Sequence, residues 1–269
     1  MNKRLLAILL GLVVVAGLAI AVALARRGEV TVNMDWTVGD SCQDAVLIGA
    51  AGSGQRDDEP VAGPQVESVV SGFTAQLTEH ASSAIDVGVM ALDYPAPGIL
   101  EGTLLGFLGD SMVDSIAEGR ATLLSAIRTT SERCPTTSLY LIGYSQGASV
   151  VHTTVSEIPA KYRESVAGVV VIADPNRDAD DPYTEHYTTE LDPAVEAVTT
   201  PHTRDGVFGA LPTPAWLEGS FYSACARRDA VCNSSLTDVL ATDSAHTDES
   251  YHDLGPYMGK LLADGFLDR

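Results

Sequence analysis

A chain of 269 residues can hold one sizeable α/β domain with a buried core, and at 45% hydrophobic against 19% charged it is too apolar to be disordered. Against 16 Lys+Arg stand 36 Asp+Glu, a formal net charge of −20. Phosphate backbones are repelled by such a balance, so no nucleic-acid partner is expected, and the acidity reads as a well-solvated surface.

In chain order, Lys3 and Arg4 precede an uncharged apolar run from Leu5 to Ala25, which Arg26 and Arg27 close. At about 20 residues this run is long enough to span a hydrocarbon core and exceeds the usual signal-peptide core of roughly 7 to 15, which favours a retained membrane anchor. Ala23-Leu24-Ala25 has the small-x-small form of a cleavage site, so removal as a signal peptide stays open. Either way the remainder is expected outside the cytoplasm, secreted or in the cell envelope. Residues 1–27 are set apart as this leader, 28–40 as a linker and 41–269 as the folded domain.

Export makes disulfides permissible for Cys42, Cys134, Cys225 and Cys232. Of the three possible pairings, spacing favours Cys225 with Cys232 and Cys42 with Cys134. Without a CxxC pair or clustered histidines, no metal site is expected.

Ala45–Ala51, Ile85–Tyr94, Leu139–Tyr144 and Val166–Ala173 read as strands, nearly continuous in apolar residues, as in a parallel sheet covered on both faces. Val66, Val69, Val70, Phe73 and Leu77 recur at helical spacing, as do Ile116, Leu123, Leu124 and Ile127. Ala148–Ile158 and a stretch carrying Leu254, Met258, Leu261 and Leu262 read as two more helices. This alternation predicts a doubly wound α/β fold, a three-layer sandwich with a central, mostly parallel sheet.

Ser145 falls in the turn between the third strand and the next helix, within Gly143-Tyr-Ser-Gln-Gly147. G-x-S-x-G in that setting is a nucleophile elbow: a strained turn presents the hydroxyl, and the glycines leave room for the neighbouring strand and helix. In such a fold an acid and then a histidine follow the serine. His152 lies on the helix leaving the elbow and reads as a packing or surface residue. His186 and His202 lie in an irregular acidic region without a strand end to position them. His246 and His252, ahead of the last helix, remain as bases.

The chain resembles the cutinase family of serine esterases, in its actinobacterial branch of exported hydrolases. The resemblance rests on Gly143-Tyr-Ser-Gln-Gly147, on Cys134-Pro135 before it, and on Cys225-Ala-Arg-Arg-Asp229-Ala-Val-Cys232. It implies a three-layer sandwich of the α/β-hydrolase type, with Ser145 as the nucleophile and Asp229, inside a small disulfide loop, as the triad acid. Gly49-Ala-Ala-Gly52-Ser53-Gly54-Gln55 is similar to the family's oxyanion loop, with Ala51 where an arginine is usual. Asp93-Tyr94-Pro95 and Ala173-Asp174-Pro175 are further landmarks. The family's H-x-x-Y pattern favours His246, with Tyr251 two residues further on than usual, over His252, which stays as the alternative base.

The implied chemistry is acyl transfer without a cofactor. The N–H groups of Gln146 and Ser53 would bind the oxyanion, and the Ser53 hydroxyl could add a donor. Gly98–Gly109 reads either as a lip over the acyl site or as a packed loop. Phe208, Leu211 and Trp216 read as a pocket wall or as core. A lipid-like ester and a monomeric protein are expected. The competing reading is a non-catalytic, membrane-tethered envelope binding protein on the same fold.

Overall fold

The computed structural model describes residues 28–56, 61–98, 110–187, 204–226, 229–234, 246, 251 and 254–269. The strands are β1 (Val30–Asn33), β2 (Ala45–Ala50), β3 (Ile85–Ala91), β4 (Ser138–Tyr144), β5 (Val166–Ile172), β6 (Glu185–Tyr187) and β7 (Phe221–Ala224). The helices are α1 (Pro64–His80), α2 (Asp110–Arg133), α3 (Gln146–Glu157), α4 (Ala160–Arg163) and α5 (Leu254–Leu267). The strands form one seven-stranded sheet in the order β1-β3-β2-β4-β5-β7-β6, and every pairing is parallel.

Alternation along each strand explains the three layers, because successive side chains point to opposite faces. Leu47, Tyr140, Ile142 and Val170 pack on one face with Val66, Phe73 and Leu77 of α1 and Met258 and Leu262 of α5. Val46, Ile48, Leu139, Leu141, Val169 and Val171 pack on the other with Leu123 and Ile127 of α2 and Val150, Val151 and Val155 of α3. Both faces are covered, which is why these strands read as unbroken apolar runs.

The stretch 28–40, expected as a linker, contributes the edge strand β1 and the core residue Trp36, which is 2% exposed. Its pairing with β3 runs from Val30 opposite Ile85 to Asn33 opposite Gly88. VTVN alternates valine with polar residues as a strand can, but it is only four residues long and, at the sheet edge with three of them exposed, buries little. His186 is likewise in a strand, β6, rather than irregular chain.

The bridges Cys42–Cys134 and Cys225–Cys232 are both formed. The first ties the entry of β2 to the end of α2, 92 residues on. In a loop-entropy account that closure removes about 4 to 5 kcal/mol of unfolded-chain entropy.

Candidate active site

Crossing from the β2–β3 side of the sheet to the β4–β5 side, the chain reverses its winding, so the segments leaving β2 and β4 diverge and open a crevice at the C-terminal edge. Ser145 sits there with φ 53° and ψ −115°, a backbone conformation that L-residues adopt only under constraint. The constraint is visible at the flanking glycines. A Cβ on Gly143 would lie 2.3 Å from the Gly147 carbonyl oxygen, and one on Gly147 would lie 2.1 Å from that of Ala50. Gly143 and Gly147 therefore let strand, turn and helix close on one another, as the motif predicts.

Ser145 Oγ lies 2.9 Å from His246 Nε2, and His246 Nδ1 lies 2.8 Å from Asp229 Oδ2. Ser145 is 1% exposed, so the elbow aims its hydroxyl at the base rather than opening it to bulk solvent. The imidazole stacks on Tyr144, with ring centroids 5.4 Å apart and planes 12° apart. Motif residues on either side of the turn thus hold both partners of the proton transfer.

Asp229 is fully buried in the loop closed by Cys225–Cys232. Its Oδ1 accepts from the Val231 N–H at 2.8 Å, and its Oδ2 also accepts a short bond from the Tyr251 hydroxyl. Burial would raise this carboxyl, but the charge of His246 and the bonds from His246, Tyr251 and the Val231 backbone outweigh it and hold it below its ordinary value. Burial and then the Asp229 charge push the Tyr251 hydroxyl well above its ordinary value, so it remains a donor. Tyr251 also accepts from the Ala226 N–H at 3.0 Å. Its place in the H-x-x-Y-like pattern was the sequence signal for it, although the pattern does not say that the hydroxyl meets the acid.

The loop after β2 faces the elbow. Ser53 Oγ donates to Gln146 Oε1 at 2.8 Å, Gln146 Nε2 donates to Ser115 Oγ at 2.7 Å, and Ser115 Oγ accepts from the Ala96 N–H at 3.1 Å. The Ser53 hydroxyl is therefore occupied as a loop tie rather than left as a spare donor. Tyr94 donates a short bond to the Ala51 carbonyl, and the Gly54 N–H donates to Ala96 at 3.0 Å, so the Asp93-Tyr94-Pro95 landmark braces the same loop. Gln146 heads α3, and its N–H is one of the first-turn donors that lack an acceptor within the helix. Ser115 carried no sequence signal.

The remaining residues separate cleanly. Phe208 and Leu211 hang from the chain after β5, their N–H groups donating to Pro175 and Asn176, and so reach the same sheet edge. Trp216 does not: it packs on the α2–α3 side beneath the Arg163 guanidinium, 5.6 Å from it, ahead of β5. His152 is buried and bonded to Asp174. His202, His252 and residues 99–109 of the Gly98–Gly109 stretch lie outside the described residues.

A parallel sheet with a strained serine turn at its C-terminal edge, and a histidine and a buried carboxylate in line behind that serine, defines the α/β-hydrolase class. The chain belongs to the cutinase family, whose model matches residues 41–252. It is 30% identical over 138 residues to the cutinase CUT1 of Coprinopsis cinerea, covering 51% of this chain and 60% of that one. To the probable carboxylesterase Culp3 of Mycobacterium tuberculosis it is 31% identical over 158 residues, covering 54% and 52%. The chain thus spans little more than half the length of these curated relatives. Among solved structures, a cutinase-like protein from Cryptococcus sp. superimposes with a TM-score of 0.60 at 19% identity, over 84% of this chain and 96% of that one. The catalytic core of an acetyl xylan esterase from Trichoderma reesei gives 0.57 at 20%, over 85% and 99%. At those identities the likeness is one of fold.

Proposed function

We propose that the protein is an exported serine esterase that hydrolyses carboxylic esters through an acyl-enzyme. The observation that carries this reading is the continuous line from Ser145 Oγ through His246 to Asp229, at 2.9 and 2.8 Å. Ser145 Oγ attacks the ester carbonyl while its proton passes to His246 Nε2, and Asp229 holds the Nδ1–H tautomer and stabilises the imidazolium. The N–H groups of Gln146 and Ser53 receive the oxyanion. His246 then returns the proton to the departing alcohol, and water repeats the sequence to release the acid.

Phe208 and Leu211, at the same edge, support an acyl group of some length over an acetyl group. The relatives' names, cutinase and carboxylesterase, support ester hydrolysis as the reaction. The leader and the two disulfides support an extracytoplasmic location, secreted or in the envelope.

The test is hydrolysis of p-nitrophenyl esters from C2 to C16 by residues 28–269, beside the Ser145→Ala variant. Serine-dependent turnover with an optimum beyond C2 is expected. Turnover of acetyl esters alone would overturn the acyl preference, and activity that survives Ser145→Ala would overturn the mechanism.

A further inference from the structure

All seven strands run the same way, so the sheet has one edge where strands begin and an opposite edge where they end. Ser145 follows β4, Ser53 follows β2 and Asp229 follows β7, which places the esterase machinery at the ending edge. The leader joins at the other. β1 is the first strand, and the chain is pinned before it starts: the Gly28 N–H donates to the Ala81 carbonyl at 2.8 Å, and the Ile85 N–H to the Glu29 carbonyl at 2.9 Å. Gly28 lies so close to the turn before β3 that a Cβ there would fall 1.7 Å from the Ser83 carbonyl oxygen.

Between the apolar run ending at Ala25 and this pinned glycine stand Arg26 and Arg27. Three residue steps reach at most about 11 Å. A headgroup layer is roughly 5 to 8 Å thick, so a bilayer holding Leu5–Ala25 would meet the Ser82–Ser83 turn almost directly. β4 then carries the chain away from that surface over seven residues, about 23 Å at the rise of a parallel strand, before it reaches Ser145. The ester linkages of the anchoring lipids lie beneath their headgroups, beyond the reach of a hydroxyl held on the far side of the sheet. Among the described residues no helix is long and apolar enough to cross a membrane.

We propose that Leu5–Ala25 is retained as an anchor that seats the beginning edge of the sheet on a bilayer, so that Ser145 faces away and acts on esters presented opposite that membrane. This rests on the esterase reading for the chemistry and on topology alone for the orientation. It selects a substrate class: dispersed esters, or esters held in an opposing layer, rather than the lipids in which the protein stands.

The experiment uses the full chain in phosphatidylcholine vesicles, zwitterionic because of the protein's acidity. A dye is placed on Ser82→Cys, in the exposed turn before β3, or on Ala210→Cys, exposed between the two residues pinned to the chain after β5. Headgroup spin-labelled lipid, a contact-range quencher, should quench the first dye several-fold and leave the second unchanged. Equal quenching, the reverse order, or a mature protein that has lost the leader and leaves the vesicles would overturn the proposal. In parallel, a fluorogenic ester lipid is supplied in the same bilayer or dispersed in solution. Hydrolysis of the dispersed ester in several-fold excess is expected, and preference for the same bilayer would overturn the substrate class. With the dyes in the expected order and neither ester cleaved, the esterase reading fails while the orientation stands.

Discussion

Among the described residues stand two histidine–aspartate pairs built alike and placed differently. His246 Nδ1 meets Asp229 Oδ2 at 2.8 Å, and His152 Nδ1 meets Asp174 Oδ2 at 2.6 Å. At the first pair the other ring nitrogen, Nε2, meets Ser145 Oγ, and the imidazole is 19% exposed. At the second the ring is 2% exposed and packed on Phe221 with centroids 4.9 Å apart, and its Nε2 has no hydrogen-bond partner among the described residues. The carboxylate and the imidazole are the same chemical device in both. What separates them is the third group and access: one pair can pass a proton to a hydroxyl, while the other fastens α3 to the chain leaving β5.

The largest expected difference between the pairs is catalytic. His246→Ala should lower kcat on p-nitrophenyl butyrate by about 10⁵- to 10⁶-fold, and Asp229→Asn by about 10⁴-fold with the fold retained. His152→Ala, assayed as folded protein, should keep kcat/KM within a few-fold. Its loss should appear in denaturant unfolding instead, as about 1 to 3 kcal/mol, because Asp174 loses a buried hydrogen-bond partner while keeping the Asn176 N–H. If His152→Ala abolished turnover in stable protein, the contrast between the pairs would collapse.

A smaller effect is expected at Tyr251. Tyr251→Phe removes one donor to Asp229 and should cost about tenfold in kcat/KM. It should also raise the acid-unfolding midpoint. Asp229 is held below its ordinary value near 3.8, so its contribution to stability is complete above that pH and is lost as pH falls through the lower folded value. Weakening the hold moves that loss to higher pH. An unchanged midpoint would mean that Tyr251 does not support the acid.

The smallest effect belongs to a third histidine, which lacks a carboxylate bonded to its ring. Burial, and secondarily the Arg177 charge, lowers His186 to about 4. Its neutral form is the folded one, so its contribution is complete above the ordinary value of 6.5 and is lost between there and about 4. His186→Phe should flatten stability across that window without changing turnover at neutral pH. A stability curve as steep as that of the unaltered protein would show that His186 is not buried as a neutral group.

How much of this was legible in the sequence depended on whether a local rule governed each residue. β2 to β5 were readable because strands covered on both faces must be apolar throughout, and the elbow was readable because Gly143 and Gly147 have contacts that admit no Cβ. β1, β6 and β7, of four, three and four residues, were not, because partners far away in sequence hold them in the sheet. The same holds for side chains. Asp229 announces itself within its cysteine loop, whereas nothing local to His152 says that Asp174, 22 residues on, will bury with it. Trp216 looked as suited to an acyl wall as Phe208 and Leu211, and only the winding of the chain sends it to the opposite edge.

The central claim is that His246, and not the other buried pair, activates Ser145. A fluorophosphonate probe tests it directly: Ser145 Oγ bonds to phosphorus, fluoride leaves and the base takes the proton, and mass spectrometry locates the adduct. Rapid labelling of Ser145 in the unaltered protein and in His152→Ala is expected, with labelling lost in His246→Ala. An adduct on another residue, or labelling of Ser145 that survives His246→Ala at an unchanged rate, would contradict the account.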